Sequence, residues 1–159
     1  MLIVCDALPI IALAVCSKLD LLDKLFNRVY IPQAVFAELS VPYKPKAREI
    51  AEWANGKVIP VKNQSVITAL SMNLDPGESE ALALYWETGA DFLLIDERRG
   101  RVIAQRHDIR TIGTLGILLS SKQRGFITSV KPFLELLAEN GFRISDILYQ
   151  QILDRAGEL

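Results

Sequence analysis

Two short apolar runs in this chain end in the same way. Leu2-Ile3-Val4-Cys5 closes on Asp6, and Phe92-Leu93-Leu94-Ile95 closes on Asp96. Short apolar runs bounded by polar residues read as strands buried on both faces, and such strands belong to parallel sheets covered by helices. If both runs are central and parallel, their carboxylates emerge at one edge of the sheet. That edge, beyond the carboxyl ends of the strands, is where ligands of open α/β sheets gather.

The rest of the chain fits that frame. The helix after Asp6 carries Leu8, Ile11, Ala12 and Val15 on one face, with Pro9 tolerated in its first turn. Ser17 with Asp20 starts a second short helix through Phe26. Arg28 to Ile31 reads as a strand, and Pro32 opens a helix through Leu39. A loop over 41–45 precedes a helix from Lys46 to Ala54, which stops at Asn55-Gly56. Val58 to Val61 reads as a strand, Asp75-Pro76-Gly77 as a turn, and Glu78 to Trp86 as a helix ending near Gly89. A basic helix follows Asp96, then a strand at Thr111-Ile112 and helices over 114–122, 132–139 and 145–155. Strands alternating with helices predict an α/β fold: a mostly parallel sheet between two helical layers.

Composition supports a folded chain of one-domain length. Hydrophobic residues make up 50% of the 159 and charged residues 23%, which excludes a disordered chain. The apolar runs fall short of a membrane span, and the first residues lack a basic leader segment, so a cytoplasmic protein is expected. Cys5, Cys16 and the single His107 form neither a disulfide framework nor a zinc spacing. Net charge is −1, yet between Asp96 and Lys131 eight basic residues (98, 99, 101, 106, 110, 122, 124, 131) face three acids (96, 97, 108). That stretch reads either as a phosphate-binding face or as the solvated side of two helices.

Clustered carboxylates raise one another's pKa, and a hard divalent cation relieves that cost with oxygen ligands. Each acid also has a local reading. Asp6 and Asp96 precede helices and would serve as N-caps, and Glu78 and Glu80 lie in a first helical turn where the dipole favours them. Glu38 sits near a helix end, where the dipole disfavours an acid; a metal role or a salt bridge to Lys44 or Lys46 would account for it. Gly113-Thr114-Leu115-Gly116 opens a helix either as an anion site or through close helix–strand packing. No glycine-rich phosphate loop and no Ser or Cys nucleophile motif is present.

Taken in order, these pieces resemble the PIN-domain superfamily, in particular the prokaryotic branch related to VapC-like toxin ribonucleases. The anchors are Leu2 to Asp6 followed by Pro9-Ile-Ile-Ala-Leu, Val29 to Glu38, Pro76-Gly-Glu78-Ser-Glu80-Ala-Leu, Phe92-Leu-Leu-Ile-Asp96-Glu-Arg-Arg-Gly, Gly113-Thr-Leu-Gly and Gly141-Phe-Arg-Ile-Ser. The resemblance implies one PIN-like α/β/α sandwich over 1–159, with a helical extension from about 129 to the end. It implies a site that holds Mg²⁺ or Mn²⁺ and cuts RNA, with Asp6, Glu38, Glu78 and Asp96 as the catalytic acids. Glu80 is the alternative to Glu78 or a second partner to the metal. Arg98, Arg99, Arg101 and Thr114 would hold flanking RNA. The same resemblance implies a toxin half of a toxin–antitoxin pair, inhibited by a small cognate antitoxin, and a homodimer. Apolar helices around Leu19 to Phe26 and Ile144 to Ile152 would supply the dimer surface.

Relatives place Ser or Thr just after the first acid, whereas Ala7 and Leu8 stand here. The competing reading is therefore a catalytically weak or silent module of the same fold that binds nucleic acid or protein. A phosphoacceptor signalling domain ranks last, because the extra acids at the first strand and the late lysine it needs are missing.

Overall fold

A computed structural model describes residues 1–159. The elements in chain order are β1 (Leu2–Cys5), α1 (Ala7–Val15), α2 (Asp20–Leu25), β2 (Arg28–Pro32), α3 (Gln33–Leu39), α4 (Ala47–Ala54) and β3 (Val58–Ile59). There follow α5 (Gln64–Leu70), α6 (Pro76–Thr88), β4 (Phe92–Leu94), α7 (Arg98–Arg106), β5 (Thr111–Ile112), α8 (Thr114–Gln123), α9 (Lys131–Glu139) and α10 (Asp146–Ala156). Nearly every expected element is present. Helix α5 is additional to the expected elements, and Pro32 ends β2 at the N-cap of α3 rather than opening that helix.

All five strands are parallel, in the order β3-β2-β1-β4-β5. The chain lays strands on one side of β1 and then returns to the other side with β4, so the order reverses between β1 and β4. Cys5 is in register with Leu94, and the Asp6 amide donates to the Leu94 carbonyl at 2.9 Å. The ends of the two acid-terminated runs therefore lie side by side at the switch point of the sheet, where a crevice opens between diverging connections.

The alternation of side chains along each strand divides the core in two. Ile3, Cys5, Val29, Ile31 and Leu94 point into the larger cluster with α1, α2, α8, α9 and α10. Val4, Leu93 and Ile95 point into the smaller one with α6 and α7. These two layers about the sheet make the three-layer α/β/α sandwich. Burial of each such aliphatic side chain contributes about 1.5–3 kcal/mol before entropy is charged against it. Both cysteines are buried and free, and burial raises both thiol pKa values.

The apolar face of α2 is used up within the chain: Leu21 and Leu22 are fully buried against this core. On α10, Ile152 and Leu153 are buried while Ile147 remains exposed. The acidic tail folds back onto the basic stretch. Glu158 accepts from the Val130 and Lys131 amides at 2.8 and 3.0 Å and pairs with Lys122 Nζ at 2.9 Å. Burial pushes the Glu158 carboxyl up, but these donors outweigh it and hold the pKa below the ordinary range. No helix is long and apolar enough to cross a membrane.

Candidate metal centre

Asp6 leaves β1 with extended backbone at the N-cap of α1, yet its side chain makes no capping bond. It is 6% exposed, a carboxylate held almost out of water. Burial is the main cause that pushes its pKa up to about 7; the Ala7 amide opposes this, and the charges of Asp75, Glu38 and Glu97 add to it. The capping expectation for Asp6 fails, and the side chain is free for another use.

Glu78 lies in the first turn of α6 and is 5% exposed. A surface acid there would be eased by the helix dipole, but this one is buried and its Oε2 has no hydrogen-bond partner. Its pKa is pushed up to about 8, chiefly by burial, then by the hydrogen bond and charge of Asp75, and by Glu97 and Asp6. A bare glycine faces it: a Cβ at Gly100 would stand 2.9 Å from Glu78 Oε2 and 2.5 Å from Ile95 Cδ1.

The acids close enough to share an ion are Glu78 and two that are absent from the expected set, while Asp6, Glu38 and Asp96 fall outside that group. Asp75 is the N-cap of α6 and accepts from the Glu78 amide at 2.7 Å. Glu97, exposed at the N-cap of α7, makes no capping bond. One oxygen each from Asp75, Glu78 and Glu97 lies within 4.8 Å of the others. Asp75 reads as turn chemistry in the sequence because an N-cap and a hard-metal ligand call for the same residue. Glu97 carried a signal, its place directly after the acid that ends a strand.

The remaining expected acids divide. Glu38, exposed in the last turn of α3, makes no ion pair with Lys44 or Lys46. Its Oε2 would stand 3.4 Å from a Cβ at Gly77, and Asp75 Oδ1 would stand 3.5 Å from that same Cβ, so both carboxylates border Gly77. Glu80 turns away: its Oε1 accepts from the Ala34 amide at 3.0 Å and satisfies an open N–H at the start of α3.

Asp96 does act as a cap, though for α8 rather than for the helix that follows it in sequence. Its oxygens accept from the Thr114 amide at 2.8 Å and the Thr114 hydroxyl at 2.5 Å. Gly113 permits this approach, since a Cβ there would lie 2.6 Å from Asp96 Oδ1. The start of α8 is thus already filled by a protein carboxylate, and Thr114 is buried beneath it. Gly116 follows the packing alternative, with its Cβ position 2.8 Å from Ile112 Cγ1. Of the expected arginines, Arg98 and Arg99 line a groove beside α5, while Arg101 lines another together with Asp96.

None of Asp6, Glu38, Asp75, Glu78, Asp96 and Glu97 has a Lys or Arg partner within ion-pair distance. A buried carboxylate oxygen without a partner, set among uncompensated acids, suits a hard divalent cation. The donor set, oxygen only, fits Mg²⁺ or Mn²⁺ better than zinc.

Comparison with known proteins gives a family and nothing nearer. No curated protein and no solved structure matches the chain. The family model DUF3368, a PIN domain, matches residues 2–158, a span that contains every acid described above. The chain therefore belongs to the PIN-domain family.

Proposed function

We propose that this chain is a Mg²⁺- or Mn²⁺-dependent endoribonuclease, of the VapC-like kind, acting as the toxin of a type II toxin–antitoxin pair. The PIN fold is a nuclease fold that works with divalent metals. The observation that carries the reading to this chain is Glu78 Oε2, buried without a partner and grouped with Asp75 and Glu97. Asp6, Glu78 and Asp96 would hold the metal with Asp75 and Glu97, and Glu38 would ligate from the rim, directly or through water. A bound ion would polarise the phosphodiester and lower the pKa of water so that hydroxide is available near neutral pH.

The protein side of the chemistry is positioning. Thr114 fixes the Asp96 carboxylate through two hydrogen bonds, one to each oxygen, leaving the remaining lone pairs free. Gly100 leaves room for Glu78 to point inward. Burial makes the charge of Asp6 and Glu78 costly until a cation arrives, so binding the ion relieves repulsion already built into the fold. Arg98 and Arg99 in one groove, and Arg101 beside Asp96 in the other, would hold flanking phosphates. A small antitoxin protein and a homodimer belong to the same proposal. Light scattering at micromolar concentration checks the dimer.

Cleavage of a mixed set of labelled RNAs with Mn²⁺ or Mg²⁺ tests the enzyme, with Asp6→Asn and Asp96→Asn as controls. Metal-dependent cutting lost in both variants is the expected result. One observation favours a second reading: Ala7 and Leu8 give the first acid no hydroxyl support. A protein that bound RNA but cut none would be a silent PIN module.

A further inference from the structure

The basic stretch after Asp96 divides into parts with different surroundings. The Lys122 ammonium is paired with Glu158, whose carboxylate also accepts from the Lys131 backbone amide. Arg98, Arg99 and Arg106 instead line one groove of about 920 Å³ between α5 and α7, and none of the three has an ion-pair partner. The apolar part of its lining includes Leu70, Val102 and Ile103.

Its two ends are distinct. At one end stand Leu74 and Arg98, the chain neighbours of Asp75 and Glu97 in the acid cluster. At the other end Trp86 meets His107 edge to face, ring centroids 5.5 Å apart. Trp86 is 40% exposed, high for a large apolar ring on a helix whose preceding turns are buried. Helices α6 and α7 both start at the acids and both finish at the rings. The separation is about 12 Å along α6 from Glu78 to Trp86, at ~1.5 Å per residue. A half-exposed aromatic pair beside unpaired guanidinium groups is the equipment of a single-strand site: rings stack bases and arginines follow the backbone. A duplex cannot offer an unstacked base to the rings.

We propose that the groove between α5 and α7 is a subsite for single-stranded RNA, with a base against Trp86 and His107 and flanking phosphates on Arg98, Arg99 and Arg106. This rests on the ribonuclease reading for its role, because it places the strand so that it leads into the acid cluster. The subsite itself binds without metal.

The experiment titrates the intact protein, in chelator, with a short labelled oligouridylate and with a hairpin duplex of equal length, followed by anisotropy. Trp86→Ala weakens single-strand binding about tenfold, and Trp86→Tyr restores most of it. The combined change of Arg98, Arg99 and Arg106 to Gln lowers the slope of log affinity against log salt by about 2. Urea unfolding of each variant accounts for any loss of fold. Unchanged affinity in the folded Trp86→Ala and arginine variants overturns the subsite, as does equal loss for the duplex, which would leave a mere charge patch. Failure of native protein to bind oligouridylate also overturns it and turns the groove over to an acidic protein partner. The cleavage assay keeps the two readings apart. Cutting that persists with unaltered KM in these variants sinks the groove alone, whereas ring-dependent binding with no cutting sinks the nuclease alone.

Discussion

Gly100 stands where any Cβ would come within 2.9 Å of Glu78 Oε2, so the buried carboxylate and the missing side chain occupy one arrangement. The same Cβ would meet Ile95 Cδ1 at 2.5 Å, and Ile95 is fully buried at the end of the β4 run. Gly100→Ala must therefore move both neighbours. We expect a loss of about 1–3 kcal/mol in urea unfolding, the usual cost of overpacking, together with weaker Mn²⁺ binding by calorimetry. Native stability and native Mn²⁺ affinity in this variant would show that Glu78 does not need the space.

The pH dependence of the metal-free protein follows from Asp6 and Glu78. Their folded pKa values, about 7 and about 8, lie above those of free carboxyls near 3.8 and 4.5. The unfolded chain gives up these protons first, so their contribution is fully present below about pH 4 and fades as pH rises through 7 and 8. Stability in chelator should fall between pH 4 and 8, against the usual trend for carboxylates. Asp6→Asn or Glu78→Gln should flatten that slope and stabilise the metal-free protein by about 1–3 kcal/mol at pH 8. Mn²⁺ reverses the sign, because it binds the ionised form; its affinity should drop as pH falls below about 7. A metal-free stability that rises across this range would contradict the burial of both acids.

What could be read from residues alone, and what could not, follows from which interactions are local. The placement of Asp6 beside the β4 run was legible, because apolar runs ending in an acid define both a buried parallel strand and its polar edge. Helix α5 was not, since its seven residues are too few for Val66, Ile67 and Leu70 to establish a helical period. The choice between Glu78 and Glu80 was open because both sit in one helical turn and differ only in what α3 and α7 place opposite them. Asp96 looked like a cap for the helix beginning at Arg98. The hydrogen bonds that decide its role come from Thr114, across a strand-to-helix connection that local propensity does not encode.

Glu80 and Glu78 should separate cleanly in a mutant pair. Glu80 Oε1 accepts from the Ala34 amide at 3.0 Å, a helix-start contact between α6 and α3. Glu80→Ala should cost about 0.5–1.5 kcal/mol of stability and leave Mn²⁺ affinity near native. Glu78→Gln should do the opposite, keeping or raising metal-free stability while removing most Mn²⁺ binding. A large loss of metal affinity in Glu80→Ala, with the fold intact, would place Glu80 in the ligand set.

Thr114 offers the sharpest test of how Asp96 is held. Its hydroxyl donates to Asp96 Oδ2 at 2.5 Å from a buried position, a bond to a charged acceptor. Thr114→Val keeps the shape, removes the donor and leaves the amide bond at 2.8 Å in place. The loss should be about 1.5–3 kcal/mol, within the range for hydrogen bonds to charged groups. The freed carboxylate should also bind Mn²⁺ about tenfold more weakly, the scale on which support of a ligand acts. Thr114→Ser retains the hydroxyl and should keep metal affinity near native at a smaller cost in packing. If Val and Ser variants lost metal affinity equally, packing of the β5–α8 corner, rather than the hydroxyl on Asp96, would govern the site.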